Sequence, residues 1–202
     1  MADLRTRKKE QTRRRIADVA LSMFAERGFE AVTVNQIAEA AEVARATMFA
    51  YFPTKEALVL DGVGAENLST IVERREPGQS FLDALRAHYE GLASAELTGV
   101  ELDSLTTRVR VIRDSPALRN AANTLLYQQR DDLARSLVTE LGESAARLAA
   151  AQVAAALLTL QESYFERLLD GVPPRQASTQ LAEEFDLAFD LLRHGLHRRG
   201  EV

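Results

Sequence analysis

Residues 33–58 read TVNQIAEAAEVARATMFAYFPTKEAL, and two short helices with a tight break between them are written into that stretch. The Thr33 hydroxyl can accept the free N–H groups of a first turn. A helix is predicted over 34–41, with Ile37, Ala38 and Ala41 on one side. The break falls at 42–44. A second helix of about two turns is predicted over 45–51, and Pro53 ends it because the residue before a proline is kept out of the helical region. Thr54 then caps a further helix that opens Lys55-Glu56-Ala57-Leu58 and is predicted to run unbroken to about Glu73. Ile37, Val43, Phe52 and Leu58 read as core.

Two short helices joined this way can set the second into a major groove. The exposed positions of that second helix include Arg45, Ala46 and Thr47. An arginine can pair bidentately with guanine, and small side chains allow close approach or contact a thymine methyl. Thr47, Tyr51 and Lys55 have the reach to hold phosphates, which sets register without reading sequence. Lys55 stands at a helix N-terminus, where a cation is disfavoured unless an anion is near. Thr33 sits at a helix N-terminus, which favours phosphate. Asn35 and Gln36 lie on the exposed side of the capped helix, and one of them is expected to touch DNA.

Upstream, Ile16, Val19, Ala20, Met23 and Phe24 follow helical spacing, predicting a helix over about 6–27 closed by Gly28 in a left-handed cap. Residues 1–58 carry ten Lys/Arg against eight Asp/Glu, leaving fifteen against twenty-two in the remainder. The excess sits at Arg5, Arg7, Lys8, Lys9, Arg13, Arg14 and Arg15, read as a basic arm. A positive end on an acidic body can orient a protein on phosphate.

The segment over about residues 10–60 resembles the head of the TetR family of bacterial regulators. The residues that carry the resemblance are Phe24-Ala25-Glu26-Arg27-Gly28-Phe29, Thr33, Ile37-Ala38, Ala41, Val43, Thr47, Tyr51-Phe52, Lys55-Glu56 and Leu58. The chain departs from the family pattern at Glu42, where a glycine is usual in the turn, and at Ala44, where a serine usually caps the second helix. It also departs at Ala46 and Phe49. The resemblance implies an all-α protein of about nine helices, a three-helix DNA-binding head over 1–54 and a ligand-binding and dimerisation body over 55–202. It also implies a repressor that leaves a palindromic operator when a small effector binds.

The rest of the chain reads as helix, over about 79–95, 101–113, 116–140, 144–170 and 175–198. Small residues stripe the penultimate helix, including Ala149, Gln152 and Ala156. Phe185, Ala188 and Leu192 continue a seam on the last, with Leu196 beside it. Two such helices from each of two subunits can form a four-helix interface, so a homodimer is expected. Phe81, Leu85, His88 and Tyr89 share one helical side, Arg108 and Ile112 lie on the next helix, and Tyr127, Gln161, Tyr164 and Phe165 add polar points to an apolar wall. Such a set can line an effector cavity. The stretch 108–118, RVRVIRDSPAL, weakly resembles the acyl-CoA-like ligand-binding type of that family, and its clustered arginines suit an anionic carrier group.

Composition narrows the alternatives. Apolar residues make up 46% of the 202, charged residues 27%, and there is no cysteine. That excludes disulfide frameworks and thiolate chemistry. No Gly-rich phosphate loop is present, and His88, His194 and His197 have no carboxylate at a telling spacing, so neither an enzyme, a metal site nor a cofactor is expected. No signal segment or membrane span is expected, and the cytoplasm is the expected compartment. An activator, or an architectural DNA-binding protein without small-molecule control, is the alternative reading.

Overall fold

The computed structural model describes residues 2–61, 67–93 and 99–195. Ten helices and no strand occur among them: α1 (Ala2–Arg27), α2 (Val34–Ala40), α3 (Arg45–Tyr51), α4 (Ala57–Leu60), α5 (Leu68–Glu73), α6 (Phe81–Ala93), α7 (Gly99–Asp114), α8 (Pro116–Leu141), α9 (Glu143–Leu169) and α10 (Pro174–His194). They form two compact units, residues 1–65 with 101–123, and residues 66–100 with 124–202. The expected boundary between 54 and 55 separates α3 from α4, whereas both lie in the first unit together with most of α7.

In the first unit, Ile16, Ala20 and Phe24 of α1 are buried with Ile37 and Ala38 of α2, Met48 of α3 and Leu58, Val59 and Leu60 of α4. Gly28 takes φ +82°, and its N–H returns to the Phe24 carbonyl at 2.9 Å. The chain therefore reverses, and the Phe29 ring tilts onto Phe24 with centroids 4.9 Å apart. Ser115 caps α8, its hydroxyl accepting the Leu118 N–H at 3.3 Å, with Pro116 as first helical residue. The same hydroxyl donates to Glu30 at 2.6 Å.

The long helix expected from Lys55 to Glu73 is not formed. Thr54 does cap it as anticipated, accepting the Ala57 N–H at 3.1 Å. The helix then ends at Asp61, whose backbone is extended with ψ 123°. A separate helix, α5, starts after Asn67, whose side chain accepts the Ser69 N–H at 3.1 Å. The carbonyls of Val59 and Asp61 at this end accept hydrogen bonds from Arg108 of α7.

The second unit is built around α5, α6, α8, α9 and α10. Leu68, Ile71 and Val72 of α5, Leu85 of α6, Leu133 and Leu137 of α8, Ala146, Ala150, Val153, Leu157 and Leu160 of α9, and Leu181, Phe185 and Phe189 of α10 form one buried cluster. Two of the expected site residues are buried here. Phe185, expected at a subunit interface, is only 5% exposed, its ring stacked between Tyr89 and Phe189 at 5.8 and 6.0 Å. Leu85, expected to line an effector site, has no exposed surface. The strongest apolar stripe of each helix is consumed by the helix's own chain. No helix of the described residues is long and apolar enough to cross a membrane.

Candidate nucleic-acid interface

The helix pair at 33–51 forms because its ends are chemically satisfied and its inner face is apolar. Thr33 and Gln36 make a reciprocal capping box: the Gln36 N–H donates to the Thr33 hydroxyl at 3.3 Å, and the Thr33 N–H donates to the Gln36 side chain at 2.9 Å. Two of the free N–H groups at the start of α2 are thereby met. The chain turns at Glu42, which takes φ +52°. Ala44 precedes α3 with extended backbone and offers no side-chain cap.

This geometry sorts the expected contact residues. Asn35, Arg45, Ala46 and Thr47 are exposed, with the Arg45 guanidinium 5.5 Å from the Phe49 ring centroid. Thr33 and Gln36 are occupied with each other. Tyr51 is half-buried, and its carbonyl accepts from Arg13. Lys55 does not project freely. Its ammonium donates to the Phe29 carbonyl and sits 4.2 Å from the Phe29 ring centroid. Burial pushes the Lys55 ammonium below its usual range, partly opposed by Glu30 and Glu56.

Arg13 was grouped with the basic arm, and the structure gives it another role. Arg7, Lys8, Lys9, Arg14 and Arg15 are exposed, and the Arg5 side chain lies outside the described ones, whereas Arg13 is half-buried. Its Nε and Nη2 hold both oxygens of Asp61 at 2.8 and 2.5 Å, and Nη1 donates to the Tyr51 carbonyl at 3.0 Å. The guanidinium also lies 4.7 Å from the Phe52 ring centroid. Asp61 raises its pKa through the hydrogen bond, against the effect of burial. The signal was present in the sequence: Arg13 is three residues before Ile16, on the stripe that continues through Ala20 and Phe24.

The residues expected to line an effector cavity do not form one set. Phe81, Leu85, Tyr89 and Tyr164 gather on the core of the second unit. His88 meets Tyr89 edge to face at 5.2 Å, and Phe165 lies 5.8 Å from Tyr164. Gln161 is exposed, and Tyr127 is 60% exposed beneath the Arg130 guanidinium. Arg108 and Ile112 belong to the first unit. The Arg108 Nη1 donates to the carbonyls of Val59 and Asp61 at 3.0 and 2.7 Å. A cleft of about 270 Å³ opens in the first unit against Phe24, Phe29, Glu30, Arg110 and Ser115, of which Arg110 belongs to the arginine cluster expected to suit an anionic group.

The expected dimer residues divide as well. Ala149, Ala188 and Leu192 pack partly buried on the second unit's core, Ala156 is half-buried, and Gln152 is exposed. The large apolar side chains left outward on these helices are Leu148, 65% exposed, and Leu187, 45% exposed. His194 is exposed and 2.9 Å from Asp190, while His197 and Leu196 lie outside the described residues. No group of three or more metal-ligating side chains occurs among the described residues.

Comparison with known proteins fixes the family. Residues 16–61 match the profile described as "Bacterial regulatory proteins, tetR family". A candidate regulator of mycofactocin biosynthesis from Mycobacterium tuberculosis, MftR, is 30% identical over 194 residues, covering 95% of this chain and 94% of its own. The chain belongs to the tetR family. It is a DNA-binding transcriptional regulator of helix-turn-helix type. A second tetR-family relative, the transcriptional repressor KstR of Rhodococcus jostii, is 25% identical over 98% of this chain and 91% of its own. In three dimensions the fold is shared with NalD of Pseudomonas aeruginosa, the secondary repressor of the MexAB-OprM multidrug efflux pump. The TM-score there is 0.57 at 19% identity, over 95% of this chain and 99% of that one. All-α architecture with a helix-turn-helix head is thus a property of this tetR-family chain.

Proposed function

We propose that this regulator is a homodimeric repressor that leaves a palindromic operator when a small apolar or amphipathic effector binds its body. Residues 1–54 read DNA and residues 55–202 hold effector and partner subunit. The observation that carries the DNA-reading assignment is the division of labour in the head. Thr33, Gln36 and Lys55 are used by the fold, and Asn35, Arg45, Ala46 and Thr47 are left on the surface of α2 and α3. Arg45 and Thr47 then meet bases and phosphates, Tyr51 and the exposed arm residues Arg7 to Lys9 add phosphate contacts, and the working compartment is the cytoplasm. Repression is supported by the names of relatives, since KstR is a repressor. The effector face draws on Phe81, His88, Tyr89, Tyr164 and Phe165. An acyl-CoA-like effector stays within this proposal, with the Arg108 Nη1 already holding the carbonyls of Val59 and Asp61.

The test uses a duplex recovered by selecting the protein's own binding sites from a random-sequence pool. A library of apolar and amphipathic compounds is screened for a raised unfolding temperature, because a ligand that binds only the native state stabilises it. Each stabilising compound is then titrated with and without the duplex. Linkage requires the compound and the duplex to weaken each other by the same factor. Mutual weakening of tenfold or more is expected. Mutual strengthening makes the protein a ligand-dependent binder, and stabilising compounds without coupling remove effector control.

A further inference from the structure

The recognition helix is tied to α7 by a continuous series of charge-assisted hydrogen bonds inside the first compact unit. Tyr51 is the last residue of α3, and its carbonyl accepts from Arg13 at 3.0 Å. Arg13 grips both oxygens of Asp61 at 2.8 and 2.5 Å. The main chain of Asp61 accepts from Arg108 of α7 at 2.7 Å, and Arg108 also holds the Val59 carbonyl at 3.0 Å. Asp61 is the C-cap of α4, so its carbonyl and that of Val59 lie in the last turn, where no intrahelical donor reaches them. An arginine there both satisfies the orphan acceptors and complements the negative end of the helix. A single guanidinium nitrogen, Nη1, carries two N–H groups and so holds both acceptors at once.

We propose that Arg108 is a positioning residue for operator recognition: it fixes the end of α4, and through Asp61 and Arg13 it fixes the C-terminus of the recognition helix. Arg108 touches no DNA in this scheme. Arg108 lies 57 residues after Tyr51 in the chain, so α7 supports the reading head from outside residues 1–54, within the same compact unit. The second tether, Ser115 to Glu30 at 2.6 Å, holds the C-terminal end of α7 beside the turn that follows α1. Reading bases needs the α3 side chains placed closely, whereas holding phosphates non-specifically tolerates a looser head. Loss of the tie should therefore lower specificity before it lowers general affinity.

The experiment measures binding of Arg108→Gln, Arg13→Gln and the double variant to two probes, the selected duplex and mixed-sequence DNA of equal length, over a range of salt. Arg108→Gln is expected to weaken selected-duplex binding at least tenfold while mixed-sequence binding changes less than about twofold. Its salt slope should be unchanged, because no counterion release is lost. The double variant should bind the selected duplex no worse than the weaker single one, since both break one chain of contacts. Arg108→Lys, which keeps the charge and can still reach one carbonyl, should fall between wild type and Arg108→Gln. Should Arg108→Gln fail to fold, Arg108→Lys decides alone, with a specificity ratio at least threefold below wild type expected. An unchanged specificity ratio in the folded variants overturns the proposal. So does a salt slope lower by about one, which makes Arg108 a phosphate contact, and so does a double variant whose loss is the product of the single losses.

Discussion

At Glu42 the backbone takes φ +52° in the turn that sets α2 against α3. A side chain in the left-handed region crowds the following carbonyl, at about 1–2 kcal/mol for most residues. Glycine relieves that crowding, so Glu42→Gly is expected to stabilise the protein by about 1 kcal/mol, read as a higher urea midpoint. A lower midpoint would show that the Glu42 side chain stabilises the turn in some other way. A second single-residue effect depends on pH. The Ser115 hydroxyl holds the Glu30 carboxyl below its ordinary value of 4.5, helped by its own backbone and by Lys55, and only partly opposed by burial. A carboxyl depressed in the folded state contributes stability above its unfolded value and loses it as pH falls through the folded one. The stability difference between wild type and Glu30→Gln should thus be constant at neutral pH and shrink as pH falls below 4.5. Urea unfolding at stepped pH checks this, and a gap unchanged down to full protonation removes the Glu30–Ser115 bond from the stability of the head.

Whole elements were legible where their causes are local. Thr33, Thr54 and Gly28 mark ends that the chain uses as anticipated, because a cap is settled within four residues. The break at Asp61 was not legible, and the partners that hold it lie 48 residues back at Arg13 and 47 residues on at Arg108. Periodicity from Lys55 to Glu73 describes an uninterrupted helix, and it carries no sign of the tertiary arginines. Arg13 shows the same limit in reverse. Its place on the Ile16 stripe was visible, but the run of neighbouring cations concealed it, and the partner that holds a half-buried guanidinium, Asp61, lies far along the chain. The uncapped start of α3 gives a prediction at this scale. Ala44 has cap geometry without a cap side chain, so Ala44→Ser should stabilise the protein by about 1 kcal/mol. Thermal unfolding at fixed pH measures it, and no gain in Tm would mean that the free N–H groups of α3 are already satisfied.

At the scale of the molecule, the stripes read as a subunit interface and the surface left over by folding are different faces of the same helices. The seam through Leu181, Phe185, Ala188 and Leu192 faces the chain's own core, which takes the most apolar stripe. What remains outward is a sparser face of small residues and Gln152 on α9, with Leu148, and Leu187 on α10. The proposed dimer therefore uses the flanking face, and the two faces predict opposite behaviour. Phe185→Ala empties a ring site held between Tyr89 and Phe189 and should cost about 3–5 kcal/mol of stability, with the folded fraction still associating. Leu148 and Leu187 are exposed, so Leu148→Glu with Leu187→Glu removes little packing within the chain and should leave monomer stability within about 1 kcal/mol, while placing two charges from each copy in the interface, where desolvation opposes association. Sedimentation at micromolar concentration should give about twice the 22.3 kDa chain mass for wild type and the chain mass for the double glutamate variant. A double glutamate variant that sediments like wild type would move the interface off this face. A monomeric wild type would remove the dimer, and with it the expectation of a palindrome, since two half-sites one helical turn apart need two heads related by a twofold axis.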